Sequence, residues 1–335
     1  MATQTYNLDE IFAITTKYID DQISEIFMNT TPLYNEIMKK KEYVDGGNRL
    51  TVALDFNPNQ SINYITGTSA DLLNVNTQQN LIPAELDWKY MYSNFSITLR
   101  DLNATADSKH AIVSLVSQKA KNTLGSVRQF LAKSFYGSAA NDPNAFNGMA
   151  DIFAASGTAY AGLLDTDLGL DEVGDAKWLP AFDTSSTVVD YQTIEPMITK
   201  LKTKASINGN AAKLGYMVSK ANILSAFKQH QQLQQRFLPA KDLEAGFDGV
   251  NVDGVIWYAD EFCPAGTLYV INPDSIKFFY KYGFEGKNSP QDISGLRLPN
   301  QPVMVHQKFY TGNLFCVDRR VNGVFTALNP AATRA

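Results

Sequence analysis

One stretch, residues 107–137, constrains the possible folds more than any other part of the chain. Its apolar residues recur at steps of three and four and so share one helical face, while lysine and arginine residues mostly occupy the other face. At 1.5 Å per residue we expect a rod of roughly 45 Å, well beyond the usual helix of about 11–12 residues. Gly137 is expected to end it in a left-handed conformation. The apolar face comprises Val113, Val116, Ala120, Leu124, Val127, Leu131 and Phe135.

Upstream of this helix, residues 7–28 form a second amphipathic pattern, which predicts an N-terminal helix. Pro32 either ends that helix or begins a short one at 33–40. The lysines at 39–41 could contact nucleic acid, but a solvated helix end is favoured because cations offset the helix dipole there. The apolar positions of the first pattern are Leu8, Ile11, Phe12, Ile14, Tyr18, Ile19, Ile23, Ile26 and Phe27.

Between these helices the period changes to two, which predicts strands. Residues 49–56 and 88–99 each alternate apolar and polar side chains. We expect them to form a long two-stranded arm over 48–100, with the polar segment 57–86 as its tip. An arm of this kind is marginally stable alone, so we expect a partner to order the tip and cover its apolar residues. Those residues are Ile62, Tyr64, Ile65, Leu72, Leu73, Leu81 and Ile82.

The rest of the chain mixes helices and strands without regular alternation. Asp190 is expected to cap a helix over 190–206, and a further helix is expected over 220–237. Turns are expected at Thr311-Gly312-Asn313 and, as a hairpin signal, at Asn322-Gly323. Because strand and helix do not alternate as in a nucleotide-binding parallel sheet, we assign the chain to the α+β class. The predicted strands span 213–218, 250–258, 267–272, 276–280, 302–310, 314–319 and 324–328.

Charge and composition exclude several classes of function. Charged residues make up 19% of the 335 residues and the net charge is −5, so no overall basic field attracts nucleic acid. The low charge fits a surface largely covered by copies of the same chain. The N-terminus lacks a signal-peptide pattern and no apolar stretch reaches the roughly 18 residues of a membrane span, so we expect a soluble, intracellular chain without membrane contact. Cys263 and Cys316 are expected to be buried thiols, with a disulfide as the alternative.

The sequence contains no motif that would carry catalysis. Glycine-rich phosphate loops and a nucleophile elbow are absent from it. His110, His230 and His306 have no carboxylate or cysteine nearby at ligand spacing. The acidic run 165–175 departs from a calcium loop, since Gly169 falls at a ligand position and Ala176 at the twelfth, so a solvated loop is favoured. We therefore expect no enzyme activity, no cofactor and no metal.

The order of elements resembles the major capsid proteins of tailed bacteriophages, which have the Hong Kong 97-type fold. Three passages carry the resemblance. The first is the arm 48–100 followed directly by the helix 107–137, which resembles that fold's extended E-loop and spine helix. The second is VDGVIWYADEFCPAGTLYVINPDSIKFFY at 252–280, and the third is QPVMVHQKFYTGNLFCVDRRVNGVFTAL at 301–328.

The resemblance implies a division of the chain and a function. It implies an N-terminal arm (1–47), an E-loop hairpin (48–100), a peripheral (P) domain (101–187 and 301–335) and an axial (A) domain (188–300). The implied function is self-assembly into pentamers and hexamers of an icosahedral head around double-stranded DNA, bound without sequence preference. Neighbouring subunits would be contacted by Ile11, Phe12 and Tyr18 of the N-terminal arm and by the tip residues of the hairpin given above. The protein would reside in the virion, and in the host cytoplasm during assembly.

Two departures from the family and several alternatives accompany this hypothesis. The sequence has no lysine between Lys41 and Lys89, so we expect no covalent crosslink from the E-loop. About 47 residues precede the arm, so we expect no removable scaffolding segment; scaffolding, portal or decoration proteins would be separate chains. The alternatives are an encapsulin-like shell, a tail or portal-associated phage protein, and an enzyme whose His230 or His306 lies in a pocket with a carboxylate.

Overall fold

The architecture combines helices with two mixed sheets and a separate two-stranded sheet. The predicted arm residues Ile11, Phe12 and Tyr18 and the tip residues Ile65, Leu72 and Leu73 lie outside the described residues. The computed structural model describes residues 31–56, 61–62, 64, 80–98, 100, 109–170, 174–204, 213–233, 250–297 and 303–332.

The described elements are labelled in chain order. The helices are α1 (Pro32–Lys39), α2 (Lys109–Ser134), α3 (Met149–Ile152), α4 (Tyr191–Thr203) and α5 (Ala221–Leu233). The strands are β1 (Glu42–Tyr43), β2 (Arg49–Asp55), β3 (Leu81–Asp87), β4 (Lys89–Thr98), β5 (Ala181–Asp183), β6 (Tyr216–Ser219), β7 (Val250–Val252), β8 (Val255–Ala259), β9 (Leu268–Ile271), β10 (Ile276–Tyr282), β11 (Ile293–Arg297), β12 (Val303–Cys316) and β13 (Gly323–Phe325).

The first sheet is built around β12, which runs unbroken for 14 residues. It pairs antiparallel with β4 on one side and with β10 and β11 on the other. The turn predicted at 311–313 is wrong, because Gly312 lies inside this strand. A Cβ at Gly312 would stand 2.7 Å from Cζ of Phe278 and 2.8 Å from the carbonyl oxygen of Phe279. The glycine therefore permits close strand packing rather than a turn.

The second sheet, ordered β5-β13-β9-β6-β8-β7, is buried on both faces. Its side chains alternate between two cores, as the two-residue period of a strand requires. In β9, Tyr269 and Ile271 pack into a large core shared with the first sheet, while Leu268 and Val270 pack against α4 and α5. The sheet is thus the central layer between the first sheet and the helices.

The predicted long helix is present as α2, and its predicted apolar face is largely buried. Val116, Ala120, Val127 and Leu131 are buried, whereas Leu124 is only half-buried. The first half of the face packs on β4 and β12, where Val116 clusters with Ile97 and Met304. The second half meets α1 and β10, where Phe135, just beyond the helix, stacks on Tyr34 and contacts Phe278 with ring centroids 5.8 and 5.6 Å apart. Gly137 does not adopt the predicted left-handed conformation.

The return strand predicted for the two-stranded arm 48–100 is wrong. β2 pairs with β3, so the return strand is 81–87 rather than 88–99. The segment 89–98 instead forms β4 and joins β12 of the first sheet. Leu81 and Ile82 accordingly belong to a strand and not to a loose tip. The alternation at 88–99 did predict a strand but not its partner.

Strand pairing joins ranges that the resemblance assigns to different domains. β10 and β11, placed in the axial range 188–300, pair with β12 of the peripheral range. Conversely, β13 pairs with β9 and β5, although β13 lies beyond residue 301 and β5 before residue 187. The chain therefore passes between the two sheets several times.

The hairpin turn predicted at Asn322-Gly323 is also wrong. Asn322 is fully buried and links two loops by its side-chain amide. Its Oδ1 accepts hydrogen bonds from the amide of Asn272 at 2.9 Å and from Oγ of Ser275 at 3.0 Å, and its Nδ2 donates to the carbonyl of Asp318 at 2.8 Å. A buried amide of this kind fixes the loop before β10 against the loop before β13.

Candidate assembly surfaces

The described residues contain no cluster of histidine, cysteine, aspartate or glutamate placed to hold a metal ion. His306 instead stacks on Phe95, with ring centroids 4.9 Å apart and planes 7° from parallel. Among the helices described, none combines the length and the apolar character needed to cross a membrane.

Both cysteines are free and buried, as the sequence predicted. Burial raises the pKa of the Cys316 thiol to about 12 and also raises the pKa of Cys263. Because the thiolate is the reactive form, both side chains behave as small apolar core residues.

The segment 31–47 is bound to the body of the molecule like a strap. Leu33, Tyr34 and Ile37 of α1 are buried. The N-cap residue Thr31 makes no side-chain cap, and the Oδ2 of Asp260 accepts from the amide of Leu33 at 3.3 Å instead. This carboxylate is buried, and burial raises its pKa. These contacts fix α1 on the body of the molecule.

Further contacts hold the C-terminal half of the strap. Lys40 and Asp274 form an ion pair, and Nζ of Lys41 lies 2.9 Å from Oε1 of Glu285. β1 then pairs in parallel with β10. All three lysines of the run are thus paired with carboxylates of the same chain.

Two ion pairs and one backbone hydrogen bond stabilise the base of the β2–β3 hairpin. Nη1 of Arg49 lies 3.1 Å from Oε2 of Glu85, and its Nε lies 2.8 Å from Oδ1 of Asp87. The amide of Glu85 donates to the carbonyl of Ala161 at 2.9 Å, which ties β3 to a neighbouring loop. A cleft of about 540 Å³ lies between the hairpin base and that loop. The inner face of the hairpin packs on the core through Leu50 and Leu54 and their neighbours.

The far end of the hairpin carries exposed apolar side chains. Ile62 is 80% exposed, Tyr64 is fully exposed and Leu81 is 60% exposed. Ile82, in contrast, is partly buried and packs on the core. Of the described tip residues, therefore, three are available to a partner and one is already used inside the subunit.

A second apolar surface, on β4, was missed by the sequence analysis. Tyr90 and Tyr92 are 73% and 65% exposed, and Tyr92 lies beside Phe309 of β12 with ring centroids 6.4 Å apart. The opposite face of β4 is covered by α2. The alternation over 88–99 predicted a strand here, but alternation alone does not show which face of the strand another element covers.

A buried guanidinium organises the loops beside these surfaces. Arg319 donates from Nε to the carbonyl of Ile152 at 2.8 Å, from Nη1 to that of Trp178 at 2.9 Å, and from Nη2 to that of Ala154 at 3.1 Å. It also lies over the ring of Tyr160, at 5.1 Å. Burial lowers its pKa. The sequence offered no signal for this role, because an arginine near a strand end is ordinarily solvated.

The sequence matches no protein-family model and no curated protein. The fold, however, is similar to that of several solved structures. A chain of the cyanophage A-1(L) capsid asymmetric unit superposes with a TM-score of 0.65 at 14% identity, over 91% of this chain and 94% of that one.

Two further structures resemble the chain over most of its length. A chain from the capsid of a native GTA particle gives a TM-score of 0.58 at 12% identity, over 88% of this chain and 91% of that one. A chain from the holo-SrpI encapsulin complex of Synechococcus elongatus PCC 7942 gives 0.55 at 8% identity, over 89% of both chains. At these identities the likeness establishes the fold: the chain has the mixed helix-and-sheet fold of phage capsid proteins, which that encapsulin shares.

Proposed function

We propose that this chain is a major capsid protein that self-assembles into pentamers and hexamers of an icosahedral phage head. The observation that carries the proposal is the likeness to the cyanophage capsid chain, which spans nearly the whole of both chains. The exposed apolar residues of the hairpin and of β4 support it, because a subunit of a shell leaves such residues for its neighbours.

Within this proposal the elements take the roles implied by the Hong Kong 97-type fold. The hairpin β2–β3 with its far end takes the role of the E-loop and α2 that of the spine helix, and the segment 1–47 keeps its predicted role as the N-terminal arm. The first sheet with α2 forms the P domain, and the second sheet with α4 and α5 forms the A domain. This proposal assigns the two domains by strand pairing, whereas the ranges implied by the resemblance remain an untested prediction.

The contents and partners of the shell follow from the same proposal. The head would enclose double-stranded DNA, held without sequence preference, and separate scaffolding, portal or decoration proteins would complete the virion. Assembly would take place in the host cytoplasm. No catalytic step is assigned to the chain.

An encapsulin-like shell is the second candidate, since the SrpI encapsulin shares the fold. The two functions differ in what the particle contains. Particles produced together with the neighbouring genes of the source genome should contain nuclease-protected DNA if the chain is a phage capsid protein. Particles that contain a folded protein cargo and no DNA would contradict the phage proposal and favour the encapsulin-like one.

A further inference from the structure

β4 leaves the longest open strand edge among the described residues. It pairs with β12 through ten consecutive residues, from Thr98 opposite Val303 to Lys89 opposite Gly312, without a register shift. On its other side it has no strand partner within the part of the chain that the structure describes. An edge of this length presents a row of backbone donors and acceptors to which another strand can bind.

The hydrogen bonds of β12 show which residues of β4 face the open edge. The amide of Val317 donates to the carbonyl of Ser275 at 2.7 Å, and that of Phe309 donates to Oδ1 of Asp292 at 2.8 Å. The backbone groups of odd-numbered residues in the middle and at the C-terminal end of β12 therefore point away from β4. The backbone groups of its even-numbered residues bond to β4.

The same alternation shows which residues of β4 bond to β12 and which face the open edge. Its odd-numbered residues lie opposite the even-numbered residues of β12, so Met91 and Ser93 are bonded inside the subunit. The backbone groups of Tyr90, Tyr92 and Asn94 consequently point outward. At the far end of this window Nζ of Lys119 donates to the carbonyl of Ser96 at 3.1 Å, which covers the edge there.

From Tyr90 to Asn94 the outward edge of β4 lacks the devices that normally protect an edge strand. From Tyr90 to Thr98 the sequence has neither a charged residue nor a proline. Several other outer strands are protected: β1, β5 and β7 are only two or three residues long. The outer edge of β3 contains Pro83, and its Glu85 amide is already bonded to Ala161. Unprotected long edges are avoided in proteins unless they are paired.

The chain itself carries a strand that fits this edge. In β2 the outward backbone belongs to Thr51 and Ala53, since the amide of Phe56 bonds inward to the carbonyl of Asn80 at 3.0 Å and the pattern alternates from there. Both side chains are small and exposed, and would lie well beside the bulky exposed rings of Tyr90 and Tyr92. Among the described strands these are two different open edges, and such a pair allows a head-to-tail contact, which closes into a ring when the rotation permits.

We propose that a strand from a second copy of this chain binds to β4 and extends the first sheet across the subunit boundary. The inference rests on the proposed function, because rings of copies are what it requires, but it adds that the contact is made by backbone pairing at Tyr90, Tyr92 and Asn94. Their exposed side chains would then pack on those of the bound strand.

Amide hydrogen exchange, compared between unassembled subunits and particles formed from the pure chain, tests this directly. The amides of Tyr90, Tyr92 and Asn94 should exchange at least about tenfold more slowly in particles. Those of Met91 and Ser93 should be protected in both states and serve as internal controls. If particles form and the three outward amides exchange as fast as in free subunits, the inference is overturned while the proposed function stands. If the chain remains monomeric at every concentration tested, both are overturned.

A matched pair of variants gives an independent readout. Asn94→Lys places a charge on the open edge, and Asn288→Lys places the same charge on an exposed loop. We expect the first to lower the yield of particles by about tenfold or more, since it would leave a charge or backbone groups unpaired at the contact, and the second to leave the yield unchanged. Both variants should unfold at the same temperature as the parent subunit. Equal yields from the two variants would contradict the inference.

Discussion

At the scale of single residues, Arg319 connects parts of the chain that are far apart in sequence. Its guanidinium bonds three carbonyl groups while being fully buried, so its replacement leaves buried acceptors without donors. An unsatisfied buried group costs about 1–3 kcal/mol, and the fork geometry of arginine cannot be reproduced by lysine.

We therefore expect Arg319→Met to lower the free energy of unfolding by about 2–4 kcal/mol. Arg319→Lys keeps the charge but reaches fewer carbonyls, and should show an intermediate loss. Urea denaturation of unassembled subunits measures both variants. Equal stability of Arg319→Met and the parent would show that the buried bonds are not stabilising.

Through Asp260, the free energy of unfolding of the subunit should depend on pH. Burial raises its pKa above the ordinary value of about 3.9, so the folded state binds this proton more tightly than the unfolded state. The stabilising contribution is complete at pH values below 3.9, the approximate unfolded pKa, and is lost as the pH rises through the folded pKa.

Asp260→Asn removes this dependence. The difference in unfolding free energy, parent minus variant, should be largest in acid and should decrease as the pH rises toward 7. Denaturation midpoints of both proteins over this range provide the measurement. A difference that grows with pH would show that the pKa is shifted in the opposite direction.

At the scale of elements, α2 offers a test of whether the apolar face predicted for a helix is buried in the fold. Val127 is buried, while Gln129 on the same helix is exposed. Val127→Asp should destabilise the subunit by about 3–5 kcal/mol, the cost of a buried charge without a partner. Gln129→Asp should unfold at nearly the parent temperature. Equal thermal stability of the two variants would mean that the face around Val127 is not buried.

The hairpin offers a second test at this scale, because its base and its far end have different roles. Replacing residues 57–79 by an Asn-Gly turn keeps β2 and β3, whose inner faces pack on the core, and removes Ile62 and Tyr64. We expect a folded subunit of nearly parental stability that forms no shells. Normal particles from this variant would contradict the role proposed for the E-loop.

Local patterns predicted elements well and their partners poorly. The period of α2 was sufficient to identify its buried face, and the N-cap at Asp190 is confirmed, since its Oδ1 accepts from the amide of Thr193 at 2.8 Å. The pairing of β4 with β12 joins residues more than 200 positions apart, and alternation contains no information on such distances. Gly312 and Asn322 were mistaken for turn residues because glycine and asparagine also serve close packing and buried hydrogen bonding.

At the scale of the whole molecule, the distribution of lysines gives a prediction about covalent chemistry. The segment between Lys41 and Lys89 contains no lysine, so the hairpin cannot supply an amine for a bond to a neighbouring subunit. Boiled particles should therefore migrate on denaturing gels as a single band near 37.1 kDa. A ladder of multiples of that mass would contradict this prediction.

The assembly surfaces were only half visible in the sequence. The apolar residues of the hairpin end were identifiable because they stand in a polar segment. The outward face of β4 was not, since tyrosines in an alternating strand fit a buried face equally well until the position of α2 is known. Which face of a strand is exposed depends on which face another element covers. Identifying the exposed face of β4 therefore required the position of one helix, α2.

Cryo-electron microscopy of particles formed by the purified chain shows whether the chain builds a closed shell. We expect closed icosahedral shells in which copies surround five-fold and six-fold positions, with the hairpin of each copy lying on its neighbour. A chain that stays monomeric under all assembly conditions, or that forms open tubes or unordered aggregates, would contradict the claim that it is a shell-forming capsid protein.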